Sequence, residues 1–284
     1  MGTQSQNYVS EPHWRLMSVP ALPTVATRAL RLLSNEDARL LELYHVIESD
    51  PGFASEVLRI ANSPVYGQAT PVKSLIQAAM LLGFDRLRGA VVTVGIRSYV
   101  ANLLAIPSLE ACWRHSLACA IIGEHFAQSL SIRPDDVFTA GIMHDIGRLA
   151  LAAIHPKKYS EFLAKASLEP CDALQEEARL FGMDHCRVGC LLVENWDLPA
   201  EFTDVVGHHH DTERPFALDV AGVVRCACRF ADVLGFQVVQ PMEPVSYEHL
   251  LAEIPDSYRE MFTFDPIEMA HSIDNKIRSL ASAS

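Results

Sequence analysis

A histidine and an aspartate stand side by side in an otherwise apolar segment of small residues, AGIMHDIGRLAL, at positions 140–151. Such a pair could belong to a metal site that does chemistry, to a metal site that only holds structure, or to a polar pair satisfied inside a helical core. Neighbouring residues of a helix splay by about 100°, so His144 and Asp145 could serve different ligands. The pair alone leaves all three interpretations open.

Further histidines and one aspartate of the second half also lie in apolar sequence. Each buried polar group needs a partner in a dry interior, and a shared cation satisfies several of them together. Imidazoles combined with carboxylates suit Fe, Mn, Zn, Co or Ni, whereas Ca and Mg prefer shells of oxygen. The pattern therefore predicts a His/Asp metal site. The residues that lie in such apolar sequence are His115 in WRHSLA, His185 in GMDHCRVGCLL, His208, His209 and His210 in VVGHHHD, and Asp232 in RFADVLG.

Composition limits the class of protein. The 284 residues are 49% hydrophobic and 20% charged, with a net charge of −12. A diffuse negative field repels phosphates and disfavours general nucleic-acid binding. The seven cysteines contain no CxxC pair. They therefore indicate buried free thiols in a protein of a reducing compartment. Because neither a secretory signal nor a long uncharged apolar run is evident, we expect a cytoplasmic protein without a membrane span.

Apolar residues recur at three- and four-residue spacing along most of the chain, which predicts an all-α fold. The β-branched run VVTVGI is assigned to a helix because no partner strand is evident nearby. Ile106-Pro107-Ser108 marks a weak boundary between an N-terminal helical bundle, residues 1–105, and a larger helical domain, residues 106–284. The helical segments expected in the second half are 109–130, 135–153, 156–167, 172–195, 199–210 and 216–236.

The histidines and aspartates also resemble those of a known family in their order along the chain. The order His115, His144-Asp145, His185, His208-His209 and Asp232 resembles that of the HD superfamily of metal-dependent phosphohydrolases, and within it the HD-GYP branch. In the first half, LPTVATRALRLL, ESDPGFASEVLRIANSPVYG and PVKSLIQAAMLLGFDRLRGAVV resemble the HDOD family, the HD-related output domains of bacterial signalling. The resemblance runs from about Leu22 to about Phe236. It implies that the HD-type domain packs on the N-terminal helices, and that the protein is a signalling or regulatory module.

The HD-GYP resemblance also implies a set of metal ligands. One or two transition-metal ions are expected, with Fe or Mn foremost and Zn, Ni or Co as alternatives. Asp145 would bridge two metal positions. The first position would be held by His115, His144, Asp145 and Asp232, and the second by Asp145, His185, His208 and His209.

The chain departs from HD-GYP enzymes where the substrate is handled. Arg148 stands where a lysine is expected after HDIG, and HHHDTERPFALD contains no Gly-Tyr-Pro loop. Hydrolysis of cyclic di-GMP is therefore disfavoured. Arg148 and Arg229 are candidate phosphate-binding residues, although Arg229 is equally placed to pair with Asp232 three residues later. His210, the third histidine in a row, is expected to point into solvent.

Two functional hypotheses follow. In the first, the chain is a regulatory module with a metal site in its HD-like half, and it acts mainly through signalling proteins. In the second, it is a metal-dependent phosphohydrolase acting on a nucleotide or another phosphoester, with Asp145 as the catalytic residue. Metal identity, nuclearity and oligomeric state stay open at this point.

Overall fold

Helices follow one another along the chain, and no strand occurs among the residues that the structure describes. The structure is a computed structural model, and it describes residues 22–33, 39–64, 66, 71–101, 106–196 and 198–282. The all-α fold class is therefore confirmed. The sequence also predicts a helix break at Ser34-Asn35, and this position lies outside the described residues.

The described residues of the first half form four helices, named α1 to α4. Asp50 caps the start of α3 by accepting a hydrogen bond from Phe53 N, and Pro51 lies in the first turn. VVTVGI lies inside α4 and is helical. Gly83, with φ 74°, kinks α4 near its middle. The bounds are α1 Thr24–Leu33, α2 Leu40–Glu48, α3 Pro51–Ala61 and α4 Leu75–Val100.

The second half continues with helices α5 to α15. Two segments that were expected to be single helices, 135–153 and 172–195, are each divided into two helices. The helices are α5 Pro107–Ala127, α6 Pro134–Met143, α7 Ile146–Ile154, α8 Pro156–Ala166, α9 Ala173–Phe181, α10 His185–Asn195, α11 Glu201–His208, α12 Val220–Ala231, α13 Tyr247–Glu253, α14 Asp256–Arg259 and α15 Pro266–Ser282. A π-helical turn, Asp232–Phe236, follows α12, and a 3₁₀ turn, Glu260–Phe262, follows α14.

Helix α5 runs through the centre of the second half and packs against both α6 and α12. Helix α10 packs on α7 and α11, so the segments that carry the candidate ligands are neighbours. Helix α4 contacts α6 and thereby joins the first-half helices to this core. The boundary predicted between residues 105 and 106 adjoins residues 102–105, which lie outside the described part, and it stays a prediction.

One described stretch, Pro134–Ile154, is long and apolar enough to cross a membrane by length and composition alone. It comprises α6, α7 and the junction between them, and 89% of its most apolar window is buried inside the protein. The apolar character of this stretch is therefore explained by its place in the core.

The side chain of Asn62 links the end of α3 to the segment before α4 through hydrogen bonds. Asn62 donates to Leu58 O at 3.0 Å and to Val72 O at 2.9 Å, and it accepts from Val72 N at 2.6 Å. Asn62→Ala leaves the backbone groups of Val72 unpaired, so we expect the free energy of unfolding to fall by about 2 kcal/mol. Urea unfolding measures it. Asn195→Ala, at an exposed position at the end of α10, is the control, and an equal loss in both variants would contradict the prediction.

Candidate metal centre

His144 and Asp145 form the junction between two helices rather than the middle of one. Helix α6 ends at Met143 and α7 begins at Ile146, so the chain turns at these two residues. Both side chains are buried, with residue exposures of 0% and 1%. His144 Nδ1 lies 2.7 Å from Gly141 O, while its Nε2 has no hydrogen-bond partner among the described residues. The junction therefore aims a free imidazole nitrogen and a carboxylate into the interior.

The first cluster gathers around one oxygen of Asp145. Asp145 Oδ1 lies 3.2 Å from His185 Nε2 and 3.3 Å from His209 Nε2, and these two nitrogens are 3.4 Å apart. Ligands of a tetrahedral metal with bonds of about 2.0–2.1 Å are separated by roughly 3.3–3.4 Å. His210 completes the group, with ligand atoms of all four residues within 4.8 Å of one another. The spacing of these atoms fits a transition-metal ion.

The second cluster comprises His115, His144 and Cys228, whose ligand atoms also lie within 4.8 Å of one another. All three residues are buried. Asp232, at the start of the π-helical turn, reaches the edge of this cluster and places Oδ1 3.4 Å from His115 Nδ1. The side chain of Asp232 is 41% exposed, so it forms the solvent side of the cluster.

The protonation states of most of these residues are those that a metal requires. Burial lowers the pKa of His144 and His210 well below the ordinary value, and it also lowers the pKa of His209. These imidazoles are therefore neutral at pH 7. Burial alone would raise the pKa of Asp145, but the charges of Arg148 and His185 outweigh it and hold the pKa well below its usual range. The carboxylate is ionised.

His185 differs from its neighbours because of a buried acid. Burial and Arg148 lower its pKa, but the carboxylates of Glu177 and Asp145 outweigh both and raise it to about 10. Without a metal, His185 is therefore a cation at pH 7, held between two carboxylates. A metal bound at Nε2 would replace that proton, and Nδ1 would still donate to Glu177.

Arg148, which the sequence predicts to bind phosphate, is buried, and its donors are paired with carboxylates of the protein. The residue is 2% exposed. Its Nε donates to Asp145 Oδ2 at 2.9 Å, and its Nη1 donates to Glu177 Oε1 at 3.2 Å. Arg148 therefore holds the second oxygen of Asp145, the one that a bridging carboxylate would offer to a second metal. The structure places this arginine as a support of Asp145.

Glu177 was not recognised in the sequence. It is fully buried on α9 and accepts from Tyr159 Oη at 2.7 Å and from the backbone N of His185 at 2.9 Å. Its Oε2 also lies 2.6 Å from His185 Nδ1, which directs Nε2 towards Asp145. The available signal was weak: Glu177 lies one helical turn before Phe181, which is also buried, on the inward face of α9.

Glu177→Gln is expected to weaken metal binding by about 10- to 100-fold, because the amide no longer orients and polarises His185 through a charged hydrogen bond. Metal affinity, measured by competition with a chelating dye, tests this. Glu176→Gln is the matched control, since Glu176 is exposed and pairs with Arg179. Equal affinity in the two variants would show that Glu177 does not support the site.

The three consecutive histidines at the end of α11 point in different directions. His208, a predicted ligand, is 45% exposed and its Nδ1 lies 3.0 Å from Asp204 Oδ1. His209, also predicted, is buried and faces Asp145. The expectation that His210 points into solvent is wrong, because its ring centroid lies 5.0 Å from that of His185. The structure thus brings His209 and His210 to the first cluster and leaves His208 outside both clusters.

Alanine substitution of each histidine in turn tests this placement. His209→Ala and His210→Ala are expected to lower metal affinity by about 10-fold or more, since each removes a candidate ligand. His208→Ala serves as the internal control and is expected to change it less than about two-fold. Isothermal titration of metal-free protein measures all three. Loss of affinity in His208→Ala and His209→Ala, with none in His210→Ala, would instead favour the ligand set implied by the HD-GYP resemblance.

Arg229 lies at the entrance to the site and pairs with Glu253 instead of Asp232; its Nη2 lies 2.7 Å from Glu253 Oε1. It lines a cavity of about 270 Å³ that also includes His210 and Asp232. A second cavity, of about 210 Å³, shares Arg229 and Thr212 with the first. The two cavities therefore share Arg229, and the larger one reaches His210 of the first cluster and Asp232 at the edge of the second.

The fold and the two clusters define an all-helical protein with a buried histidine–carboxylate centre. Among protein families, the HDOD domain matches residues 19–212 of the chain. The chain therefore belongs to the HDOD domain family. Cys228 and Asp232 lie beyond the matched residues.

Known relatives agree with this assignment. The structure is similar to the crystal structure of an HDOD domain protein of unknown function from Geobacter sulfurreducens, with 27% identity, a TM-score of 0.72 and 95% of each chain covered. A candidate phosphohydrolase from Shewanella amazonensis SB2B shares the fold at 21% identity, with a TM-score of 0.66 and coverage of 95% and 97%. An uncharacterised protein of Treponema pallidum is 19% identical over 216 residues, 74% of this chain. The match spans 41% of that relative's length.

Proposed function

We propose that the chain is a metal-binding regulatory module of the cytoplasm, in which a transition metal at Asp145 stabilises the HD-like half and protein partners bind the module. The observation that carries this proposal is the arrangement of the two oxygens of Asp145, of which Oδ1 is buried without a hydrogen-bond partner among the described residues. Arg148 binds Oδ2, while Oδ1 faces His185 and His209. A carboxylate held through one oxygen can bind one metal ion through the other. All seven cysteines are free, which fits a reducing compartment.

A metal in the first cluster would connect segments that are separate along the chain. Asp145 lies between α6 and α7, His185 is the first residue of α10, and His209 directly follows α11. An ion that binds only the folded protein adds its binding free energy to stability, about 2.7 kcal/mol at 100 times the dissociation constant. Metal binding would thereby increase the free energy of unfolding of the part of the protein that contains these helices.

Chelation tests the stabilising role. Removal of bound metal is expected to lower Tm by roughly 5–10 °C, and Mn, Fe(II) or Zn is expected to restore it. Scanning calorimetry of untreated, chelated and reloaded protein measures the shift. An unchanged Tm in all three samples would overturn the proposed role of the metal.

Partner binding is supported by apolar side chains that are exposed on the first turns of α4. Ile76 is 47% exposed, Met80 75% and Leu81 53%. Ile76 and Met80 lie four residues apart on one helix face. Such a cluster at the surface of a module that has its own core is typical of a protein-binding site. The proposed partners are signalling proteins.

A pull-down from the native cell tests this surface. Met80→Glu is expected to lose partners that the unchanged protein retains, because it places a charge in an apolar interface. Leu168→Glu is the control, since Leu168 is 81% exposed in the turn after α8. The same set of partners on both variants would contradict a role for α4.

A second candidate function, metal-dependent hydrolysis of a phosphoester, is favoured by Arg225. This arginine is 9% exposed and lines the 210 Å³ cavity together with Arg214 and Arg229. Arg225 Nη2 donates a hydrogen bond to Pro215 O at 2.7 Å. Arg225 forms no ion pair with any described residue. A buried guanidinium without a carboxylate offers its donors to an anion such as a phosphoryl group.

In this candidate function, bound metal would supply a nucleophilic water and polarise a phosphoryl oxygen. Arg225 and Arg229 would bind the phosphoryl group, and Asp145 would hold the ion. A screen of nucleotides and other phosphoesters with Mn and Fe(II) tests it, using Asp145→Ala and Arg225→Met as variants. Absence of turnover that depends on Asp145 would end this candidate function, whereas the regulatory proposal would stand.

A further inference from the structure

We propose that Cys228 is a metal ligand, so that His115, His144 and Cys228 form a second, sulfur-containing site beside Asp145. This proposal rests on the proposed metal-binding function and specifies the chemistry of its second position. The sequence indicated otherwise, because the cysteines read as buried core thiols and the resemblance assigned a carboxylate, Asp232, to this position.

The distances around Cys228 are those of ligands around one ion. Cys228 Sγ lies 3.5 Å from His115 Nε2. For a tetrahedral ion with a metal–sulfur bond of about 2.3 Å and a metal–nitrogen bond of about 2.0–2.1 Å, the sulfur–nitrogen separation is roughly 3.5 Å. The ring centroids of His115 and His144 are 5.2 Å apart, and the ligand atoms of the three residues lie within 4.8 Å.

His144 supplies an independent observation. Its Nε2 is buried and has no hydrogen-bond partner among the described residues, whereas Nδ1 is held by Gly141 O at 2.7 Å. A buried imidazole nitrogen without a partner is costly. An ion shared with Cys228 and His115 satisfies that nitrogen without any change of the backbone.

In this arrangement Asp232 does not bind the metal itself. It orients His115, which does. It faces His115 Nδ1 at 3.4 Å, and Phe236 O lies 3.1 Å from the same nitrogen. These acceptors fix the tautomer of His115 and leave Nε2 for the ion, the arrangement of a carboxylate–histidine–metal triad. The π-helical turn that begins at Asp232 places both acceptors on this side of the ring.

The two positions therefore differ in the class of metal that they favour. Asp145 with three imidazoles suits Mn, Fe or Zn, whereas two imidazoles and a thiolate select Zn, Co(II) or Fe(II) over Mn and Mg. Binding converts the Cys228 thiol to a metal thiolate and releases one proton to solvent, with no change of oxidation state.

Cobalt substitution of the full chain tests the proposal. Metal-free protein titrated with Co(II) is expected to show a near-ultraviolet thiolate-to-cobalt charge-transfer band together with the visible bands of tetrahedral cobalt. Cys228→Ser is expected to lose the charge-transfer band and to weaken cobalt binding at one position by 10-fold or more. Cys119→Ser is the matched control, since Cys119 is buried and its Sγ contacts Val224 O at 3.6 Å.

Absence of the band from the wild-type spectrum overturns the proposal even where a variant fails to fold. Cobalt bound with no charge-transfer band overturns the role of Cys228 and leaves the metal function of Asp145 standing. A band that persists in folded Cys228→Ser, or that disappears in Cys119→Ser, also overturns it. No binding of cobalt at any position contradicts the proposed metal function itself, so the two failures are distinguishable.

Discussion

Asp145→Asn is expected to lower the free energy of unfolding of the metal-free protein by about 3–5 kcal/mol, because it removes a buried negative charge from an ion-pair network. The amide leaves Arg148 with a single buried carboxylate, that of Glu177. It also removes the charge that faces His185 and His209. The same variant is expected to lose metal from the first cluster. Urea unfolding and metal titration measure the two effects.

Asp204→Asn is the matched control for this result. Asp204 is 49% exposed and pairs with His208 and Arg214 at the surface, so its loss is expected to cost at most about 1 kcal/mol. If Asp145→Asn were as stable as Asp204→Asn and still bound metal, Asp145 would be a satisfied core residue and not the centre of the site.

Gly147→Ala is expected to cost about 3 kcal/mol or more and to weaken metal binding, because α7 and α10 touch at this glycine. An added Cβ would lie 1.8 Å from His185 O and 2.8 Å from Gly189 N, both backbone atoms that cannot rotate away. Helix α10 must shift to make room, and His185 at its start moves with it. Calorimetry and metal titration of one preparation check both effects.

Gly52→Ala, in the first turn of α3, is the control for a glycine replaced in a helix. The nearest atom to its added Cβ is Asp50 Oδ1 at 3.4 Å, an ordinary contact. Its stability is expected to change by less than about 1 kcal/mol. If Gly147→Ala behaved in the same way, the close packing of α7 on α10 would not position His185.

The helical segments could be predicted from the sequence, but the helix breaks that position the candidate ligands could not. Residues 135–153 and 172–195 each show continuous helical periodicity. The first is interrupted at His144 and Asp145, and the second between Gly182, with φ 83°, and Asp184. Gly182 is a local signal for a helix end. The break at His144 has no such signal, since it depends on how α6 and α7 pack in the core.

The sequence indicated the types of residue that the two clusters contain, but not which of the consecutive histidines belongs to each cluster. Successive helical residues differ by about 100°, and helix ends shift by one or two residues without a clear local signal. Whether His208 or His210 faces Asp145 therefore depends on where α11 ends. Glu177 and Cys228 could not be assigned from local sequence, because their roles depend on contacts with His185 and His115, 8 and 113 residues away.

Elemental analysis of full-length protein, purified from its native host without chelator, tests the central claim most directly. The account predicts about one equivalent of transition metal per chain, or two if both clusters are filled. Less than roughly a tenth of an equivalent of any transition metal, in protein that is folded, would contradict it. The buried histidines would then be a hydrogen-bonded polar core.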